Sequence, residues 1–247
     1  MSIIALIYNS AHKYNLKYVT DSCTTSKVYA TLKKSMKSTK AFITGAAVLG
    51  VSAVAANLIL ANTAYTVTRV IDGDTFETKE RQIVRLKNID APEIGLCGGE
   101  TSKKQLESLI LGKKVYIKTD WLDRFRRNIS IVYLSDGTQV NEEMLKLGGA
   151  IADQKGASDK KLLKAGEYAR THKLGVFGPT CTQESNTENP SCVIKGNRAG
   201  GENVLVYHYP GCPLYDTVQV QLYLGDQWFC TEKEAEKAGY KKADRCP

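Results

Sequence analysis

Val70–Glu93 reads VIDGDTFETKERQIVRLKNIDAPE, and this stretch decides how the rest of the chain is understood. Asp72-Gly73 stands between two alternating runs, Tyr65–Ile71 and Thr75–Thr78. It predicts a two-residue hairpin, because Asp-Gly accepts the positive φ values of such turns. Asp74 then lies at the lip of the second strand. A third strand, Gln82–Asn88, alternates so that Arg85 faces away from Val84 and Leu86. It runs into Asp90, Ala91, Pro92 and Glu93, where the proline ends the strand and fixes a loop. A basic side chain on a strand, with acids at the adjoining turn and strand exit, has the makings of a cation and phosphate site on a β-barrel rim. Taken singly, Asp-Gly turns and Asp-x-Pro loops are more often structural than functional.

The 247 residues suffice for one domain of ordinary size and a smaller one. The net charge of +8 is unevenly spread. Residues 1–40 carry seven Lys against one Asp, residues 65–181 carry 20 basic and 16 acidic side chains, and residues 182–247 carry 7 and 9. The body of the chain is therefore only mildly basic, and overall charge says little about its partners. Local density says more: Arg124, Arg126 and Arg127 crowd one loop, where the alternative to a functional role for Arg124 and Arg126 is a solvated charged surface.

Residues 1–35 have no sustained apolar periodicity and no assigned function. MKSTK at 36–40 followed by the apolar run Ala41–Ala61 and the small residues up to Ala64 has the layout of a signal peptide starting at Met36. Left uncleaved, the same run is long enough for an inner-membrane anchor facing outward. A buried core helix is the third option. Of seven cysteines, Cys23 precedes the run and six follow it, the parity expected of an exported, oxidised portion.

Beyond the opening stretch, Ser102 with Gln105 predicts a capped helix to about Leu111, with Leu106, Leu109 and Ile110 on its apolar face. Lys114–Thr119 and Asn128–Leu134 alternate as strands around a charged loop, Asp120–Arg126. Asn141 is expected to cap a helix with Met144, Leu145 and Leu147 inward. Ser158 or Asp159 is expected to cap a longer one carrying Leu162, Leu163 and Ala169. Gly178-Pro179 closes this domain near residue 181, residues 182–190 read as a polar linker, and residues 191–247 read as a small Cys-containing module.

The ordered set I-D-G-D-T, V-R-L, I-D-x-P-E, D-R-F-x-R and V-N-E-E-M-L, spanning about Tyr65 to Pro179, resembles the staphylococcal nuclease family. The resemblance implies an α+β fold, a five-stranded oligonucleotide/oligosaccharide-binding (OB-fold) β-barrel with three helices. It also implies calcium-dependent hydrolysis of DNA and RNA by a monomer. Asp74 and Asp90 are hard oxygen ligands suited to Ca2+, with the backbone carbonyl of Ala91 beside them. By the same resemblance Glu93 is expected to activate the attacking water, and Arg85 with Arg127 to stabilise the phosphoryl charge. Asp123 pairing with one of the arginines would be a structural role. Nuclease-like repeats of Tudor-containing proteins lose these acids and arginines and act as binding modules, whereas all five are present here. The competing function is a non-catalytic nucleic-acid-binding barrel at the cell surface. One departure is the stretch Gly149–Gly156, which has no tyrosine where the family places aromatics.

Cys97, after the acids, and Cys181, at the domain end, are placed to staple the last helix to that loop, with free thiols as the alternative. The tail motifs YHYPGCP and EAEKAGY with RCP resemble the metal-binding domain of the bacterial alkylation-repair protein. That likeness implies zinc on His208, Cys212, Cys246 and Cys230. The four-Cys set is broken, however, and pairing Cys192–Cys230 and Cys212–Cys246 accounts for the thiols without metal.

Overall fold

The computed structural model describes residues 63–153, 156–199 and 204–247. The N-terminal extension and almost all of the expected signal peptide or anchor lie outside them. Among the described residues no helix is long and apolar enough to cross a membrane.

The chain runs β1 (Ala64–Val70), β2 (Thr75–Thr78), β3 (Ile83–Leu86), β4 (Ile89–Asp90), α1 (Gly99–Ile110), β5 (Lys114–Leu122), β6 (Asn128–Tyr133), α2 (Val140–Lys146), β7 (Ile151–Ala152) and α3 (Lys160–Thr171). Five strands close a barrel in the order β1-β2-β3-β6-β5. Strand β1 pairs antiparallel with both β2 and β5, and β3 lies parallel to β6. This is the α+β OB-fold barrel with three helices that the sequence led us to expect. Strand alternation puts Val67, Phe76, Val84, Leu86, Val115 and Val132 inside, where α1 covers them with Leu106 and Ile110 and α2 with Met144 and Leu145. Each such side chain contributes roughly 1.5–3 kcal/mol on burial, so the interior fixes the rim above it.

Several local readings are corrected. Neither Asp72 nor Gly73 has positive φ, so the β1–β2 connection is not the two-residue turn expected. Glycine is required at 73 for a different reason: a Cβ there would stand 1.8 Å from Ser102 Oγ and 2.7 Å from Ala91 Cβ. Ser102 is not a cap. Helix α1 starts earlier, after Gly98 in the left-handed region, and the buried Ser102 hydroxyl donates to the Gly149 carbonyl. Asn141 is not a cap either. It is fully buried, accepts from the Val132 amide at 3.0 Å and donates to the carbonyls of Lys87 (3.0 Å) and Ser130 (3.2 Å). Strand β5 continues through Trp121 and Leu122, which had been read as loop. Leu147 faces out rather than in. Asp159 does cap α3, accepting from the amides of Lys161 and Leu162.

Past α3 the chain forms β8 (Thr182–Gln183), β9 (Ile194–Ala199), β10 (Val204–His208), β11 (Val220–Gln221), β12 (Gln227–Phe229), α4 (Glu232–Lys237) and β13 (Lys241–Lys242). A sheet ordered β12-β9-β10-β13 packs Ile194, Tyr207, Phe229, Ala235 and Tyr240 into its own small core. Residues 182–183, in the stretch read as linker, pair with β11, and Tyr223 meets Phe177 edge-on at 6.2 Å, so this layer rests on the end of the barrel domain. Disulfides join Cys97 to Cys181, Cys192 to Cys230 and Cys212 to Cys246. The first ties the loop after the acids to the segment beyond α3.

Candidate active site

Asp74 immediately precedes β2 and is only 2% exposed. One carboxylate oxygen accepts the Thr75 hydroxyl at 2.8 Å and pairs with the Arg85 guanidinium, and the other accepts the Ala91 amide at 2.9 Å. Asp74 thus ties the start of β2 to β3 and to the loop after β4. Burial pushes its carboxyl up to about 6, against the lowering effect of Arg85 and with further help from Asp72. A second ion pair joins Arg85 to Asp90, so one guanidinium bridges both acids. Burial opposes the charge on Arg85, but Asp74, Asp90 and Asp72 outweigh it and hold the guanidinium above its ordinary value.

Three carboxylates therefore surround one arginine, and the most buried of them binds its proton more tightly than usual. A divalent cation suits that excess of negative charge, and the donors are the hard oxygens that calcium takes. Asp74, Arg85, Asp90 and Ala91 are in direct contact. Glu93 is exposed three residues beyond Asp90, in a loop held close to α1: a Cβ at Gly99 would come within 2.2 Å of the Glu93 carbonyl.

Arg127 enters β6 from a tight turn wound around Asp123. The Asp123 carboxylate accepts the amides of Phe125 (2.9 Å) and Arg127 (2.8 Å) and the Arg127 Nε (2.8 Å), while Arg126 takes φ 63. Arg127 is thus anchored to Asp123, the structural pairing weighed from sequence. Asp123 lines a cleft of about 600 Å³ together with Arg85, Asp90, Trp121, Ile129 and Asp153. Arg124 is exposed and stacks its guanidinium 4.7 Å from the Phe125 ring. Two participants were missed from sequence. Thr75 could have been found from its place beside Asp74; Trp121 could not be placed by alternation, because a bulge after Thr119 takes it off the face shared by Val115, Ile117 and Thr119.

Residues 83–177 match the family described as staphylococcal nuclease homologue. An uncharacterized endonuclease of Escherichia coli O157:H7 is 37% identical over 114 residues, which make up 45% of this chain and 74% of that protein. The chain belongs to the staphylococcal nuclease family. An uncharacterized endonuclease of Haemophilus influenzae is 36% identical over 115 residues (45% of this chain, 64% of that protein). The micrococcal nuclease of Shigella flexneri is 28% identical over 131 residues (48% and 75%). The stretch matched to the nuclease family begins at β3, so Arg85, Asp90, Glu93 and Arg127 lie within it and Asp74 lies just ahead.

Proposed function

We infer that the chain is a nuclease, a calcium-dependent phosphodiesterase that cleaves DNA and RNA at the Asp74–Arg85–Asp90 rim. The observation that carries this reading is the convergence of two carboxylates, one just ahead of β2 and one in β4, on one arginine beside an open cleft. Asp74, Asp90 and the carbonyl of Ala91 would hold Ca2+, which when bound neutralises charge on the phosphate and draws it to the rim. Glu93, exposed to solvent, takes a proton from a water as that water's oxygen bonds to phosphorus in line with the departing 5′ oxygen. The phosphorus–oxygen 5′ bond breaks, solvent returns a proton to the leaving oxygen, and a 3′-phosphate remains. Arg85 and Arg127 present planar donors to the equatorial oxygens, with Asp123 holding Arg127 in orientation.

The layout of residues 36–64 and the disulfides of the following portion support export to the periplasm or medium, with an outward-facing membrane anchor as the variant in which the apolar run is kept. The tail, which resembles the alkylation-repair metal-binding module, has its cysteines paired, and the role proposed for it is to brace the barrel through β8–β11 and Tyr223. The test of the activity is the loss of a labelled oligonucleotide in the presence of calcium and its rescue by chelator. An oligonucleotide bound but left intact under all metal conditions would instead establish the non-catalytic barrel.

A further inference from the structure

The register of the barrel aligns residues that are distant in sequence. Thr75 pairs with Arg85 across β2 and β3, Arg85 with Ile129 across β3 and β6, and Ile129 with Trp121 across β6 and β5. Paired residues on neighbouring strands share a face, and strands lie about 4.8 Å apart, so Arg85 and Trp121 flank Ile129 at about 10 Å from each other. A bulge between Thr119 and Trp121 shifts the phase of β5 at this point. The indole also lines two clefts. It shares the one of about 600 Å³ with Arg85 and Asp90, and the one of about 480 Å³ with Lys87, Asn88, Asp120, Ser158 and Asp159.

We propose that Trp121 is the stacking platform of a nucleoside subsite, next to the Arg85 phosphate position, that accepts an unpaired base of a single-stranded nucleic acid. The proposal rests on the nuclease reading and adds to it the residue that holds a base beside the reacting phosphate. Trp121 is a large aromatic surface, 42% exposed, in a cleft that also holds the charged groups of Arg85, Lys87, Asp90 and Asp123. Cations flank it: Arg85 stands two strands away, and the Lys87 ammonium lies 5.3 Å from the indole centroid while paired with Asp120. This combination of a π-surface with positive charge complements a base and its phosphate. Another part of the first cleft is formed by Ile151, Ala152 and Asp153, none of which offers a stacking face. The two side chains leave the same face from backbones about 10 Å apart and line the same cleft, which puts a phosphate at Arg85 and a base on Trp121 within one site. A base must leave its partner in a duplex to lie flat on the indole, which is why unpaired strands are favoured.

The test compares the parent, W121A and W121F in the full chain with calcium, on a single-stranded oligonucleotide and on the same strand with abasic residues flanking the scissile linkage. W121A is expected to raise KM on the intact strand by about 5-fold to about 150-fold with kcat near the parent's, and W121F to restore most of the loss. On the abasic strand the parent should already show the raised KM and W121A should add nothing. Tryptophan emission should be quenched by the oligonucleotide in the parent and not in W121F. A KM within about 2-fold of the parent in W121A, or an equal loss on intact and abasic strands, overturns the platform. Should the parent cleave neither strand, the nuclease reading falls, and the presence or absence of quenching still decides the platform.

Discussion

Asn141 provides a sharp separation between a local and a tertiary role. As a helix cap its replacement by Ala would cost about 1 kcal/mol, and Asp would serve as well as Asn. The structure instead buries it fully, between the Val132 amide and the carbonyls of Lys87 and Ser130. The Ser130 carbonyl also accepts the Lys87 amide at 2.8 Å, so the loss in N141A falls mainly on the Val132 amide and the Lys87 carbonyl. Buried groups left unpaired cost about 1–3 kcal/mol each, which makes about 3 kcal/mol a fair expectation for N141A. In a domain of this size that corresponds to a fall in Tm of about 6–12 °C. In N141D the carboxylate still accepts from Val132 but points unshared electron pairs at two carbonyls. Its folded-state pKa is therefore raised, so its contribution is present below the unfolded value of about 3.9 and is lost as pH rises through the folded one. Thermal unfolding of disulfide-intact protein, followed by far-UV circular dichroism, should place N141D close to the parent near pH 4 and well below it near pH 8. If N141A loses no more than about 4 °C and N141D matches the parent near neutral pH, the cap reading was right and the buried network is not what holds α2 to the barrel.

Three other outcomes follow from the rim. E93Q and R127A should each lower single-turnover cleavage by about 100-fold or more while leaving the fold intact, and parent-like rates in either would remove that residue from the chemistry. Because burial lifts Asp74 to about 6, protonation stabilises the calcium-free fold at low pH and this contribution is lost as pH rises through about 6. Calcium must compete with that proton, so the calcium-induced rise in Tm should be full near pH 8, fade by about pH 5 and vanish in D74N. A calcium effect undiminished near pH 5 would take Asp74 out of the ligand set. Finally, G73A places a methyl group against Ser102 and Ala91. It should cost about 1–3 kcal/mol by thermal unfolding and reduce turnover as the Ala91 loop shifts, with S102A relieving part of the clash.

Alternation and short motifs were enough to delimit much of the barrel. Thr75–Thr78 was read with the boundaries it has, and Arg85 faces away from Val84 and Leu86 as the period of two demands. Asp159 capped the helix it was expected to cap, because an N-cap bonds within three residues of itself. The acids and the arginine of the rim were likewise visible as residue types in order. Their long-range relations were not: that Arg85 bridges Asp74 and Asp90 and that Trp121 falls in line with Arg85 depend on strand register, whereas the pairing of Arg127 with Asp123, four residues away, is local and was weighed from the sequence.

The same division explains the local misreadings. Gly73, Ser102 and Asn141 each carry a plausible short-range role, yet their partners lie 9 to 54 residues away on other elements and displace that role. Periodicity and turn chemistry act over a few bonds, so they are written in consecutive residues and determine which segments become strands and helices. The pairing of buried polar groups and the spacing of charges at the rim are settled only when closure of the barrel removes water, because a donor or acceptor without solvent must then bond to whatever the fold brings beside it.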